Sequence, residues 1–398
     1  MLAIVFNSPG RIETRQLSDP ALEHPADAVI DVSLAALSGT DRHFINDPAA
    51  GLLPGTVIGR EAVGVVNEVG EQVRNLVPGD RVVVCPAIAC GNCVYCRAGY
   101  HAQCDGTWPG RQHTGPALLG APPALGGLPG VCADKVRIPY ANVSLIRLPD
   151  EITDTEAVLL ADIWSSAWFA AHLAEISSGD TVAVFGCGPV GLAAIACAQL
   201  LGASRVIAVD RHTERLHQAR AMGAEIIHAG EEAPADTVLA LTGGIGVDRA
   251  IDAAGGTLRH SDEPDILDTA VAALAKAGTL ALTGVYSPRR HHFPLSEAIA
   301  KNLTINAGFC HYRLYIPQVI ELALAGRIDV CAIDLHVEPL GNAAGAYQCL
   351  DNHSVPWGKL GFRPAPATMP SEEEQLDDAL ADSFPASDPP SMAQPGEE

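Results

Sequence analysis

Four cysteines, Cys90, Cys93, Cys96 and Cys104, follow the spacing C-x2-C-x2-C-x7-C, which is a metal-ligand spacing. Thiolates this close in sequence can surround one tetrahedral Zn²⁺ at about 2.3 Å each, and Gly91 and Gly99 supply the tight turns. Two disulfides or an iron–sulfur cluster are the competing chemistries. Ferredoxin-type runs place the fourth cysteine about three residues on and follow it with proline; here the gap is longer and Asp105 follows. Four sulfur ligands leave no open coordination position, so the expected metal is one structural zinc.

A second constellation lies downstream. Phe185 ends an apolar run and is followed by Gly186, Cys187, Gly188, Pro189, Val190 and Gly191, a G-x-G-x-x-G that opens a helical pattern. The first glycine permits the turn, the second lets backbone approach a pyrophosphate, and the third lets helix and strand pack closely. The helix N-terminus then faces the phosphates. The next apolar run ends at Asp210, whose carboxylate accepts hydrogen bonds from a ribose diol and repels a 2′-phosphate. NAD is therefore expected over NADP, with Arg211 as the residue that argues the other way.

These groups need a scaffold that positions them. From Leu2 to about Arg147 the chain shows short β-rich runs separated by Gly and Pro: Val29 to Leu37, Gly64 to Val69, Arg81 to Cys85 and Lys135 to Pro139. The cysteine cluster sits in an insertion there, and Thr107 to Gly130 reads as a long loop. From about Thr153 helix alternates with strand: helix Glu156 to Ala174, strand Thr181 to Phe185, helix Val190 to Leu201, strand Arg205 to Asp210. A helix at Ile266 to Lys276, a strand at Thr279 to Val285 and a helix at Tyr315 to Ala325 follow, before mixed structure from Asp334 to Phe362. Such alternation predicts a parallel, doubly wound sheet with crossover helices. The predicted divisions are 1–152, a β-rich domain; 153–300, a Rossmann dinucleotide-binding domain; 301–363, the end of that domain and a return to the first; and 364–398, a tail.

The chain has 398 residues and a formal net charge of −22. Nine of its 47 acids, and no Lys or Arg, lie from Ala365 onward, so the part before the tail carries 38 acids against 25 bases. That balance argues against nucleic acid as a ligand. The tail composition reads as disordered, with a short amphipathic stretch from Glu373 to Phe384 that could dock on an unidentified partner. Met1 to Phe6 is too short and lacks the basic start of a secretory leader, and no apolar run approaches the roughly 20 residues of a membrane helix. Eleven cysteines, an odd number, fit a reducing compartment. A cytoplasmic protein with a small-molecule substrate is the expectation.

The combination of a β-rich first half carrying four cysteines and a following Rossmann unit resembles the zinc-type alcohol dehydrogenases of the medium-chain dehydrogenase/reductase family. The likeness covers about residues 1 to 363. It includes GREAVGVVNEVG at Gly59 to Gly70, VPGDRV at Val77 to Val82 and LLADIWSSAWFAA at Leu159 to Ala171. The last of these, with KNLTINAGF at Lys301 to Phe309, is similar to the subgroup holding glutathione-independent formaldehyde dehydrogenase and related polyol and alcohol dehydrogenases. The resemblance implies a GroES-like catalytic domain, a Rossmann domain, an active site in the cleft between them, and a homo-oligomer.

It also implies a catalytic zinc, and there the residues depart. The family takes a Cys from a C-G-x-D turn, a His from a G-H-E turn and a third ligand such as Asp. Here the turns read Ser38, Gly39, Thr40, Asp41 and Gly59, Arg60, Glu61, so only Glu61 and Asp162 remain as donors. A neutral hydroxyl substitutes poorly for a thiolate, and a guanidinium has no lone pair to give. Arg60 would pair with Glu61 or Asp162 instead. Either it polarises a substrate carbonyl as an electrostatic stand-in for the metal, or the pair only plugs the hole. Thr40 and His43 match the family positions that relay the alcohol proton. Trp164, Trp168, Phe309 and His311 are candidates for the substrate wall. The expected function is NAD-dependent hydride transfer between nicotinamide and an alcohol or carbonyl compound, without catalytic zinc. The alternatives are an enone-type reductase needing no metal, and an inactive dinucleotide-binding scaffold.

Overall fold

The computed structural model describes residues 1–107, 115–255, 265–286, 292–352 and 358–365. The acidic tail with its Glu373 to Phe384 stretch, and part of the Thr107 to Gly130 loop, lie outside the described residues. Residues Met1–Pro364 form one unit by internal contacts.

The N-terminal half is built on a seven-stranded sheet. Its central strand, Ala28–Leu37, pairs antiparallel with Glu61–Val69 on one side and with Lys359–Arg363 on the other, and also with Lys135–Ile138. Alternation along Ala28–Leu37 buries Val32, Leu34 and Ala36. The strand Lys359–Arg363 comes from the far end of the chain. Its Leu360 lies opposite Leu37 and its Gly361 opposite Ala36, while Ala36 also faces Glu61. Glu61 and Lys359 thus reach the same end of one sheet from positions 298 apart.

The second sheet has six parallel strands, here β1 Thr181–Phe185, β2 Arg205–Asp210, β3 Glu225–His228, β4 Val247–Asp252, β5 Leu274–Leu282 and β6 Thr304–Ala307. Their spatial order is β3-β2-β1-β4-β5-β6. The chain winds one way from β1 to β3 and the other way from β4 to β6, leaving a crevice beyond the carboxyl ends of β1 and β4. The doubly wound parallel sheet expected from the alternation is present.

Three helices differ from the sequence expectation, each for a local reason. The predicted Glu156 to Ala174 helix runs from Asp154 to Leu173, but Leu160–Trp164 forms a π-helical turn within it. Such a turn carries an extra residue and re-aims the side chains around it; Asp162 lies inside. The helix placed at Ile266 to Lys276 stops at Ala273, because the Lys301 ammonium caps its end by donating to Val271 O, Ala272 O and Leu274 O. β5 therefore starts at Leu274 and ends before the predicted Val285. The helix read from Tyr315 begins at Tyr312, which puts that side chain at the crevice.

Candidate active site

A cleft of about 500 Å³ runs between the catalytic sheet and the carboxyl edge of the parallel sheet. Its dinucleotide end is built by the turn after β1. Gly186 has φ +92°, a conformation glycine adopts without strain. A Cβ on Gly191 would stand 1.8 Å from Gly186 O, whereas a Cβ on Gly188 would meet nothing within 4 Å. Helix Pro189–Leu200 begins there without a side-chain cap, so its first amides remain available to an anion. These residues fit the diphosphate of a dinucleotide, and Gly186, Gly188, Pro189 and Val190 line the cleft. Asp210, at the end of β2, accepts from Cys187 N at 2.7 Å and from His212 N at 2.8 Å. Arg215 approaches it at 3.8 Å. Arg211 and His212 also line this end.

The other end carries the altered residues. Ser38 caps helix Gly39–Asn46: its hydroxyl donates to Asp41 Oδ2 at 2.8 Å and accepts from Asp41 N at 3.1 Å. Helical spacing puts Thr40 and His43 on one face, and both line the cleft, although no hydrogen bond joins them directly. Gly59, at φ +86°, is packed so tightly that a Cβ would lie 2.2 Å from Cys132 Sγ. That backbone turn aims Arg60 at the helix bearing Asp162. Arg60 donates to Asp162 Oδ2 from Nη2 at 2.9 Å and from Nε at 3.2 Å, and to Thr40 Oγ1 from Nη2 at 2.8 Å. Asp162 Oδ1 accepts from Tyr312 OH at 2.6 Å and Ser166 Oγ at 2.9 Å.

Of the two acids open to Arg60, Asp162 takes it. Glu61 is held by Lys359, whose Nζ lies 2.7 Å from Oε1 and 2.6 Å from Oε2 and also donates to Leu37 O. Both partners are buried, Glu61 completely. Lys359, Tyr312 and Ser166 are the site residues that sequence reasoning missed. Lys359 has no local motif and is placed only by long-range strand pairing. Tyr312 was hidden by a helix start read three residues late.

The environment sets the charge states. Burial alone would push the Asp162 carboxyl up, but Arg60, Lys359 and the hydrogen bonds from Tyr312 and Ser166 outweigh it and hold it below the ordinary carboxylate value. Burial pushes Glu61 up to about 8 against the opposing pull of Lys359. Burial likewise raises Asp41 and lowers His43. Burial opposes the charge on Arg60, yet Asp162 and its neighbours raise its pKa, so the guanidinium stays charged.

Of the four aromatic candidates for the substrate wall, Phe309 lines the cleft and the other three do not. Trp164 is fully buried and donates to Val330 O, and Trp168 donates to Gln318 Oε1. His311 packs its ring between Tyr100 and Phe169. Phe169 takes the place expected of a tryptophan.

Away from the cleft, the sulfurs of Cys90, Cys93, Cys96 and Cys104 all lie within 4.8 Å of one another. Sulfurs bound to one tetrahedral zinc sit about 3.8 Å apart, so the cage is of the right size. Backbone amides of Cys90, Asn92, Cys93 and Cys96 donate to its sulfurs, which favours thiolates. Gly91 and Gly99 have φ +73° and +90°, and a Cβ on Gly106 would stand 2.7 Å from Cys90 Sγ. The four residues would hold a structural zinc. Among the described residues no other group of three or more His, Cys, Asp or Glu side chains converges in this way, and no helix is long and apolar enough to cross a membrane.

A GroES-like sheet and a Rossmann sheet facing one cleft define a two-domain dinucleotide-type oxidoreductase. Residues 24–150 match the alcohol dehydrogenase GroES-like domain and residues 189–325 the zinc-binding dehydrogenase domain. An uncharacterized zinc-type alcohol dehydrogenase-like protein of Bacillus subtilis is 34% identical over 92% of this chain and 100% of its own length. The solved alcohol dehydrogenase of Thermus sp. ATN1 is 35% identical with a TM-score of 0.82, covering 92% of this chain and all of that one. A structure from Escherichia coli CFT073, described as a short chain alcohol dehydrogenase complexed with NADH, is 25% identical with a TM-score of 0.76, covering 91% and 99%. The chain belongs to the zinc-type alcohol dehydrogenases of the medium-chain dehydrogenase/reductase family.

Proposed function

We infer that this chain is an NAD-dependent oxidoreductase that interconverts an alcohol and a carbonyl compound with Arg60, rather than a second zinc, at the reacting oxygen. The observation that carries the reading is the bond pattern of Arg60. Its guanidinium is tied to Asp162 and Thr40, and Ser38 is turned into a helix cap. This donor set does not fit a catalytic zinc: the two turns present Ser38 and Arg60 where the family has a thiolate and an imidazole, and Arg60, a cation with no lone pair, holds Asp162, the acid not already committed to Lys359.

Gly186, Gly188 and the first amides of the helix from Pro189 would hold a nicotinamide dinucleotide, which would supply or take the hydride. Asp210 favours the unphosphorylated ribose, and the NADH-bound relative supports the same cofactor. Arg60, which lines the cleft, offers N–H groups to a developing alkoxide. Thr40, whose oxygen already accepts from Arg60, keeps its hydroxyl hydrogen for the substrate oxygen. His43 is the next proton carrier toward solvent, kept neutral by burial. Asp162 is a positioning residue, itself fixed by Tyr312 and Ser166.

Metal analysis tests the reading together with turnover. One zinc per chain, with NADH-linked carbonyl reduction, is expected. Two zincs per chain would overturn it, and so would one zinc with no turnover that appears only in the Ser38→Cys, Arg60→His double variant.

A further inference from the structure

We propose that the reacting end of the cleft selects a flat, apolar carbonyl compound with a single acceptor oxygen, an aromatic or conjugated aldehyde or ketone, and rejects polyols, sugars and hydrated aldehydes. The proposal rests on the reading of Arg60 above and adds what else a substrate meets there.

The polar side chains at this end are engaged with one another. Ser38 donates to Asp41, Ser166 and Tyr312 donate to Asp162, Lys359 donates to Glu61 Oε1 and pairs its charge with Oε2 at 2.6 Å, and Arg42 donates to Asp351. Asp41 Oδ1 and Glu61 Oε2 have no hydrogen-bond partner, but both atoms are sealed from solvent, so apart from the imidazole of His43 what the cleft surface leaves for a ligand is donors. Arg60 lines the cleft, and its Nη1 has no partner among the described residues. Thr40 has its hydroxyl hydrogen. Because Nη2 bridges to Thr40 Oγ1 at 2.8 Å, the two donors stand close enough to converge on one oxygen.

That inventory discriminates by chemistry. A carbonyl oxygen brings lone pairs only, which two donors match. A polyol or aldehyde hydrate brings several O–H donors, and each loses its water facing carboxylates that are buried or already paired. A site whose polar groups do not match the ligand's discriminates strongly. The walls agree with this. Leu37, Ile163, Phe169 and Phe309 line the same end. Phe169 is fixed by edge-to-face contacts with His311 and Tyr315 at 5.6 and 5.3 Å. Phe309 is 39% exposed and so keeps ring surface free for a planar ligand. In the reductive direction the carbonyl carbon gains the hydride of the reduced nicotinamide and its oxygen gains one proton by way of Thr40, giving the alcohol and the oxidised cofactor.

Two inert amides, benzamide and 2,3-dihydroxypropanamide, probe the receptor without turnover. Titrated calorimetrically into the zinc-loaded, NADH-bound protein, benzamide is expected to bind at least about tenfold more tightly. Phe309→Ala should narrow that gap, and Arg60→Met, or Arg60→Gln should the first fold poorly, should abolish benzamide binding. Equal or reversed affinities, or a gap unchanged in Phe309→Ala, would overturn the proposal. NADH-linked reduction of benzaldehyde and glyceraldehyde separates the two levels of inference. Reduction that favours glyceraldehyde overturns the selectivity while leaving the oxidoreductase reading intact. Selective benzamide binding with neither aldehyde reduced supports the receptor and overturns that reading instead.

Discussion

Arg60 and Asp162 lie 102 positions apart and meet through two N–H donors on one carboxylate oxygen, at 2.9 and 3.2 Å. Both side chains are almost wholly buried, 7% and 6% exposed. A pair so placed is costly to break, because removing either partner strands a charge in low dielectric. Its second oxygen is held by Tyr312 and Ser166, so the guanidinium has one defined pose toward the cleft.

That pose makes a direct prediction. Arg60→Met should lower kcat/KM for carbonyl reduction by about 10²- to 10³-fold, the usual effect of removing an oxyanion donor. Arg60→Lys should recover only part of it, since an ammonium cannot reproduce the fork that binds Asp162 and Thr40 together. Steady-state kinetics decide the matter. An unchanged kcat/KM in Arg60→Met would leave the pair as a structural plug.

The buried pair behind it behaves differently with pH. Lys359→Met leaves Glu61 without its cation, a loss of about 3–5 kcal/mol when the remaining charge stays buried. Glu61 is already pushed up to about 8. A carboxyl raised in the folded state adds its proton more readily there than in the unfolded chain, so its contribution to stability declines as pH rises from about 4.5 toward 8. Without Lys359 the folded-state pKa rises further, so that decline continues to higher pH. The difference in thermal midpoint between wild type and Lys359→Met should therefore be small near pH 5 and largest above pH 8, and Glu61→Gln in the variant background should remove the pH dependence.

These two pairs show what the sequence makes legible. The turn after Phe185 and the cysteine spacing could be read because each packs its chemistry into about a dozen residues, with local backbone demands that only glycine meets easily. Ser38 and Arg60 could be read as departures because they interrupt local turns. Lys359 could not, since its place, 298 positions after Glu61, depends on a strand from the far end of the chain returning to pair beside Leu37. The π-helical turn that carries Asp162 has no periodicity of its own inside an apolar helix, and the early start at Tyr312 depends on tertiary contacts with Asp162 rather than on a cap.

His43 gives a pH prediction of the opposite kind. Burial lowers its pKa below 6.5, so the folded protein keeps it neutral where the unfolded chain is already partly protonated. The stability of the fold, insofar as His43 contributes, is complete above pH 6.5 and is lost as pH falls below it. Alcohol oxidation should show an acid limb displaced below pH 6.5. His43→Asn should erase that limb and reduce the rate by about 10²-fold, read from kcat/KM against pH. A limb unchanged in the variant would assign it to another group.

On the proposed reading Asp210 sets the choice between NADH and NADPH, through its place at the end of β2. Each carboxylate oxygen already accepts one backbone amide, from Cys187 and from His212, which locks the carboxylate at the end of β2 with lone pairs left for a ribose diol. Arg215 lies 3.8 Å from it and Arg211 lines the same cleft, so the adenosine end has cations that a 2′-phosphate could use once the carboxylate is gone. Asp210→Ser should therefore weaken NADH and strengthen NADPH together, by about tenfold each, because the same carboxylate binds the diol and repels the phosphate. Fluorescence titration of both cofactors measures this without turnover. If NADPH already binds the wild type as tightly as NADH, then Arg211 and Arg215 outweigh Asp210 at the ribose.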